Sequence, residues 1–139
     1  MKSLITHCRN FKSEFDGFAD RPQGIVPQEL KEDKWQETEA VVAFITVEDR
    51  DRIKEVSQLM VEELYLIANE FGRKKVVLIP FAHLSSNIAN YKDALSFLDY
   101  LEEGLKQKEL DITRVHFGSH KSLLLDIPGH TGNIRFREF

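Results

Sequence analysis

The sequence predicts a single α/β domain, and three features indicate this class. Residues 39–48 ("EAVVAFITVE") and 76–80 ("VVLIP") are almost entirely apolar and rich in β-branched side chains, as in strands buried on both faces. Each is followed by a stretch in which apolar residues recur every three or four positions, the period of an amphipathic helix. The length of 139 residues is close to the commonest size of one domain.

The N-terminal third predicts two short strands and a long loop. "SLITHC" at 3–8 is typical of a strand, and "FKSEF" at 11–15 can return beside it as a hairpin. Residues 17–36 contain two prolines and two glycines without a sustained period, so we expect a long loop, a kind of segment that often carries function. The single cysteine, Cys8, lies beside His7 on the apolar strand and is interpreted as a core residue rather than a nucleophile.

Two helices are predicted. The first contains Ile53 and ends near Phe71 at Gly72, and the acidic turn "EDRD" before it can cap it. The second begins at about Asn90. Its apolar face is formed by Ala94, Leu98, Leu101 and Leu105.

The C-terminal part predicts three strands. "DITRVHF" at 111–117 and "HKSLLLDI" at 120–127 are joined by a glycine and a serine, which favours an antiparallel hairpin. "PGHTGN" is a turn, and "IRFREF" alternates like a last strand.

Composition excludes some functions. No apolar run approaches the about 20 residues that a bilayer requires, and the N-terminus lacks the hydrophobic region of a signal peptide, so we expect a cytoplasmic protein without a membrane partner. The formal net charge is -4, whereas proteins that wrap many phosphates are strongly basic. Any contact with nucleic acid should therefore be local.

A first candidate site follows the strand at 76–80. Pro80 ends the strand's hydrogen bonding, and the small Ala82 lets another molecule approach the backbone before His83. Ligands of open α/β sheets collect where strands end. Ser85 and Ser86 are interpreted as caps of a turn. From the residues alone, a hydrogen bond from His83 to a neighbouring carbonyl is the simpler interpretation.

The second candidate site is "HFGSHK" at 116–121. Phe117 and Lys121 share a face only if the turn keeps the register. Two interpretations of Lys121 stay open, namely partial desolvation beside the apolar "SLLL" and the commoner extension to solvent. His116 and His120 have the spacing of metal ligands only on a helix, which the glycine between them opposes. We therefore expect no metal. The residues point to an α/β domain with a site between 80–86 and 116–121, and they name no reaction.

A family resemblance suggests which reaction the domain performs. "VAFITVE", "VVLIPFAHLSSNIA" and "HFGSHK", at their spacings, resemble the archaeal N-terminal editing domain of threonyl-tRNA synthetase over essentially the whole chain, and "PFAHLSS" is the most specific match. The resemblance implies a D-aminoacyl-tRNA deacylase-like fold, with a mixed, largely antiparallel sheet packed by two main helices. Residues 1–139 would form the editing domain, with the catalytic and anticodon-binding synthetase domains outside it. Its reaction would be hydrolysis of serine misattached to threonine tRNA, without a cofactor.

The resemblance also implies roles for nine residues. His83, His120 and Lys121 would orient the ribose, ester or water, and the 2'-hydroxyl of the terminal adenosine would assist the attacking water. The serine and adenosine would contact Val47, Pro80, Phe81, Ala82, Phe117 and Gly118.

Two positions depart from the family pattern. His120 stands where members often have tyrosine, and Ile134 stands where an acidic residue is expected. Asp126 or Glu138 could substitute for that acid. D-aminoacyl-tRNA deacylation and non-catalytic tRNA binding remain the alternatives. The implied partners are the acceptor end of tRNA(Thr) carrying serine, the rest of a synthetase in cis or in trans, and a second copy of the chain through a sheet edge.

Overall fold

Six strands and two helices follow one another in the computed structural model, which describes residues 1–139. They are β1 (Lys2–Phe18), β2 (Lys34–Thr46), α1 (Ile53–Glu70), β3 (Lys75–Pro80), α2 (Tyr91–Gln107), β4 (Asp111–Arg114), β5 (Ser119–Asp126) and β6 (Arg135–Glu138). The sheet has the order β4-β3-β2-β1-β5, with β6 also beside β1. Pairs within β2-β3-β4 are parallel, and β1 is antiparallel to β2, β5 and β6. The predicted mixed α/β sheet is confirmed, and neither helix is long and apolar enough to cross a bilayer.

Two predicted hairpins are wrong. β1 is one continuous strand, because its pairing with β2 resumes after Arg9 in the same register, from Cys8 opposite Ala40 to Asn10 opposite Thr38. β4 pairs with β3 whereas β5 pairs with β1, so the two strands lie at opposite edges of the sheet. Pairing with β1 places Leu125 opposite Phe11 in the core, which a local β4-β5 hairpin would not achieve.

The predicted acidic cap of α1 is also wrong, whereas the second helix begins as expected. Arg52 occupies the N-cap of α1 without a side-chain hydrogen bond. Asp51 instead accepts hydrogen bonds from the Met1 ammonium, at 2.8 Å, and from the Glu48 amide, at 2.8 Å. Asn90 caps α2 by accepting from the Asp93 amide at 3.0 Å.

The strand β1 is strongly curved, and its curvature creates the site. A straight strand of this length would span about 55 Å. Yet Ala19, just beyond its end, lines the same pocket as Thr46, which pairs with Lys2 at its start. Ile5 packs in the helix-covered core, whereas Phe11, of the same parity, packs in the core on the opposite face. The strand therefore changes faces between them and carries β5 over the second face of the sheet.

Asn133 completes the edge of β1 between β5 and β6. Its Oδ1 accepts from the His7 amide at 2.7 Å and from the Thr6 hydroxyl at 3.2 Å. Its Nδ2 donates to the carbonyls of His7, at 3.1 Å, and Pro128, at 2.8 Å. The side chain thus replaces a backbone partner where neither strand reaches β1, and it fixes the end of β5.

Candidate functional site

A cavity of about 470 Å³ lies where β2 and β3 end, between the start of α2 and the turn before β5. This size suits a small-molecule ligand. All nine residues predicted from the sequence line it: Val47, Pro80, Phe81, Ala82, His83, Phe117, Gly118, His120 and Lys121. The two candidate segments therefore meet in one pocket, as predicted, while the roles of the individual residues stay predictions.

The loop after β3 is held against the end of β2. The Thr46 hydroxyl donates to the Phe81 carbonyl and accepts from the Leu84 amide, the latter at 3.3 Å. The Ala89 amide donates to the Val47 carbonyl at 2.9 Å. These bonds give an irregular segment a defined backbone conformation.

Glu48 anchors the same loop from the other side. Its Oε1 accepts from the Ser85 hydroxyl at 2.5 Å, and its Oε2 accepts from the Met1 ammonium at 3.0 Å. The hydrogen bond from Ser85 is the main cause that lowers the pKa of Glu48, and the Met1 ammonium lowers it further. Ser85 also accepts from the Asn87 amide at 3.1 Å, which confirms its prediction as a turn cap, whereas Ser86 makes no side-chain hydrogen bond.

Two of the free backbone amides in this loop belong to residues that line the pocket. Ala82 and His83 are exposed, and neither N–H donates a hydrogen bond within the chain. The His83 ring packs edge-on against Phe81, with ring centroids 5.0 Å apart, and forms no hydrogen bond. The interpretation that His83 bonds a neighbouring carbonyl is therefore wrong. Two N–H donors and an imidazole are available to a ligand.

Lys121 lies on the facing wall. Its ammonium donates to the Ser119 carbonyl at 3.1 Å, and burial lowers the pKa of Lys121. Of the two interpretations left open by the sequence, the structure favours partial desolvation of Lys121 over the commoner extension to solvent. A charge in such surroundings acts more strongly on a ligand than one in water.

The turn before β5 is tied to the long loop between β1 and β2. Gly118 has φ +88° and accepts at its carbonyl from the Ala19 amide at 2.9 Å. Behind it, buried His116 contacts the Gln28 carbonyl through Nε2, at 2.8 Å, and the Ser119 hydroxyl through Nδ1, at 2.9 Å. Because a carbonyl accepts only, Nε2–H donates to Gln28, while the Ser119 hydroxyl, which can donate or accept, pairs with Nδ1. His116 thus anchors the turn and does not line the pocket.

The predicted histidines do not converge on one point. His130 contacts His7, with 3.1 Å between ring nitrogens, whereas His120 lines the pocket. No group of three or more histidine, cysteine, aspartate or glutamate side chains is placed to hold a metal ion.

Sequence reasoning missed several lining residues, among them Asp20, Arg21, Thr46 and Tyr91. The first two belong to the loop predicted to carry function, but nothing in its sequence marked them individually. Thr46 looked like one more β-branched residue of a buried strand.

The position where an acid was expected lies outside the pocket. Ile134 is 62% exposed and does not line it. The suggested substitutes lie elsewhere too: Asp126 pairs with Arg9, with 2.8 Å between charged atoms, and Glu138 is exposed. Neither Asp126 nor Glu138 lines the pocket, so neither carboxylate replaces the expected acid there.

Fold and site define a small α/β domain with one mainly apolar cleft, lined by free amides and a partly desolvated cation, a class suited to binding a small polar ligand. Residues 1–138 match the family model described as the archaea-specific editing domain of threonyl-tRNA synthetase, and the chain belongs to this family.

Similarity to named proteins agrees with this assignment. The chain is 36% identical over 132 residues to the threonine–tRNA ligase of Staphylothermus marinus and 33% identical over 132 residues to that of Pyrococcus horikoshii. It is 28% identical over 132 residues to that of Methanocaldococcus jannaschii. These matches cover 94% of this chain but only 20–21% of each relative, so the chain spans about a fifth of the proteins that it resembles.

Proposed function

We propose that this pocket hydrolyses the ester of L-seryl-tRNA(Thr), releasing serine and tRNA(Thr), with residues 1–139 as the editing unit. Family membership supports a role in proofreading threonine tRNA. The physical need is clear, because a site for threonine discriminates against a ligand lacking one methyl group by only about 1–3 kcal/mol. A second, hydrolytic site must therefore remove serine.

The observation that carries the proposal is the pairing of free amides with a partly desolvated lysine across one cleft. Attack of water on the ester carbonyl places negative charge on its oxygen, and backbone N–H groups stabilise such an oxyanion. The amides of Ala82 and His83 provide those donors. The other lining residues predicted from the sequence then enclose the serine and the adenosine; they are Val47, Pro80, Phe81, Phe117 and Gly118.

Proton transfer in this mechanism is shared with the substrate. The 2'-hydroxyl of the terminal adenosine orients the attacking water, while His83, His120 and Lys121 orient the ribose and the ester. The bond from the carbonyl carbon to the ribose 3'-oxygen breaks, and that oxygen receives the proton which the water loses. The partners are the acceptor end of tRNA(Thr) carrying serine and the remainder of a synthetase, in cis or in trans, in the cytoplasm.

Self-association is a further part of the proposal. Outside their pairing with β1, the outer edges of β5 and β6 have no strand partner, and Leu124, Ile134 and Phe136 on these strands or beside them are exposed. A second copy that adds to this edge would cover them.

The test compares esters of the same tRNA. The purified domain is given L-seryl-, L-threonyl- and a D-aminoacyl-tRNA(Thr), and free amino acid is measured. We expect cleavage of the seryl ester alone. Preferred cleavage of the D-ester would indicate a D-aminoacyl-tRNA deacylase. Binding of an uncleavable seryl-adenosine analogue without turnover of the ester would indicate a binding module.

A further inference from the structure

We propose that Thr46 is a positioning residue for this reaction: its hydroxyl orients the free amides of Ala82 and His83 toward the ligand. The inference rests on the proposed function for its catalytic consequence and on the hydrogen bonds of the loop for its geometry. Thr46 is the last residue of β2, and only 2% of its surface is exposed.

One hydroxyl spans the whole turn. Thr46 Oγ1 donates to the carbonyl of Phe81 and accepts from the amide of Leu84 at 3.3 Å. A hydroxyl has one proton to donate and two lone pairs to accept with, so it can make both bonds at once. The partners are the backbone groups that immediately flank Ala82 and His83.

Peptide planarity transmits this restraint to the free donors. The Phe81 carbonyl and the Ala82 N–H belong to one rigid plane and point in opposite directions. When Thr46 holds that carbonyl, the Ala82 N–H must point away from Thr46. The Leu84 amide likewise fixes the plane that contains the His83 carbonyl. The plane between them, which contains the His83 N–H, is then held from both ends.

No other hydrogen bond holds these two peptide planes. Ala82 and His83 lie outside every strand and helix, and their own N–H groups donate to nothing in the chain. The bonds of Ser85 and Ala89 hold the loop further along and do not touch these planes. Without the Thr46 hydroxyl, the peptide planes that follow Phe81 and His83 are held only by the packing of the Phe81 and Leu84 side chains against the core.

Three variants isolate the hydroxyl. Thr46→Val keeps the shape and removes the hydroxyl, whereas Thr46→Ser keeps the hydroxyl and removes the methyl. Thr113→Val is the matched control. The Thr113 hydroxyl also donates a partly buried hydrogen bond, to Glu37 at 2.8 Å, but Thr113 lies in β4 outside the pocket. Each variant is assayed for kcat and KM on L-seryl-tRNA(Thr).

We expect Thr46→Val to lower kcat about 10²-fold, the effect of misplacing a reacting group by about 1 Å, with little change in KM. Thr46→Ser should largely restore kcat, and Thr113→Val should behave like the parent protein. A parent-like kcat in Thr46→Val, or equal losses in the valine and serine variants, would overturn the proposal.

A spectroscopic measurement separates this proposal from the proposed function. The amide resonances of Ala82 and His83 are compared among the parent and the three variants. Shifts in Thr46→Val that are absent in Thr46→Ser support the positioning role even if the parent cleaves no ester, in which case only the proposed function fails. Unchanged resonances in Thr46→Val contradict the positioning role whatever the activity.

Discussion

Replacing Asn133 by alanine should destabilise the domain by about 3–5 kcal/mol. The variant loses four hydrogen bonds of 2.7–3.2 Å and leaves the buried amide of His7 and the carbonyl of Pro128 without these partners. A typical bond contributes about 1 kcal/mol net, and each buried backbone group left unpaired costs about 1–3 kcal/mol. The expected loss is large beside a total stability of about 5–15 kcal/mol.

Equilibrium urea unfolding measures this loss. The matched control is Asn10→Ala, because Asn10 also lies on β1 but is exposed and makes one long contact, 3.4 Å, to Asp126. The control should change the free energy of unfolding by no more than about 0.5 kcal/mol. A loss below about 1 kcal/mol in Asn133→Ala, or equal losses in the two variants, would refute the view that Asn133 substitutes for a missing strand.

Three further predictions concern the site and the core. Lys121→Met should lower kcat on the seryl ester by about 10²–10³-fold. The free energy of unfolding should stay equal or rise, because methionine places no charge in this partly desolvated position. An unchanged kcat would contradict a catalytic role for Lys121. Gly118→Ala should lower the free energy of unfolding in urea by about 1–2 kcal/mol, because φ at this position is +88°. Gly129→Ala, with open space around the added methyl group and no left-handed φ, should lower it less. Equal losses would be evidence against backbone strain at the turn. Burial, with a smaller contribution from Asp126, raises the pKa of Cys8 to about 11. Above about pH 9 the unfolded chain therefore releases the thiol proton first, and stability falls by about 2 kcal/mol by pH 11. Cys8→Ala should lack that component of the pH dependence, and identical pH profiles would contradict it.

The sequence predicted local structure and pocket residues better than strand pairing. Apolar runs and helical periods are properties of neighbouring residues, so β2, β3 and both helices could be located from them. The partner of β5 depends on burial between residues more than 100 positions apart, such as Phe11 and Leu125, and the glycine turn before it suggested the wrong neighbour. A polar pair at Arg9 and Asn10 likewise hid the continuity of β1.

The candidate site was predictable in part for a similar reason. The segment after β3 and the turn before β5 each have a recognisable pattern, and the family resemblance joined them into one site. Thr46 has no such pattern, because its importance arises from which backbone groups its hydroxyl reaches after folding. The curved β1, which brings Asp20 and Arg21 to the pocket, is also invisible in local periodicity.

The measurement that tests the central claim most directly is deacylation of L-seryl and L-threonyl esters on the same threonine tRNA, repeated with a 2'-deoxy terminal adenosine. We expect rapid release of serine alone and loss of that activity when the 2'-hydroxyl is removed. If the domain leaves the seryl ester intact under conditions in which a related active editing domain cleaves it, the proposed hydrolysis is wrong. Equal cleavage of the 2'-deoxy ester would instead contradict assistance by the substrate.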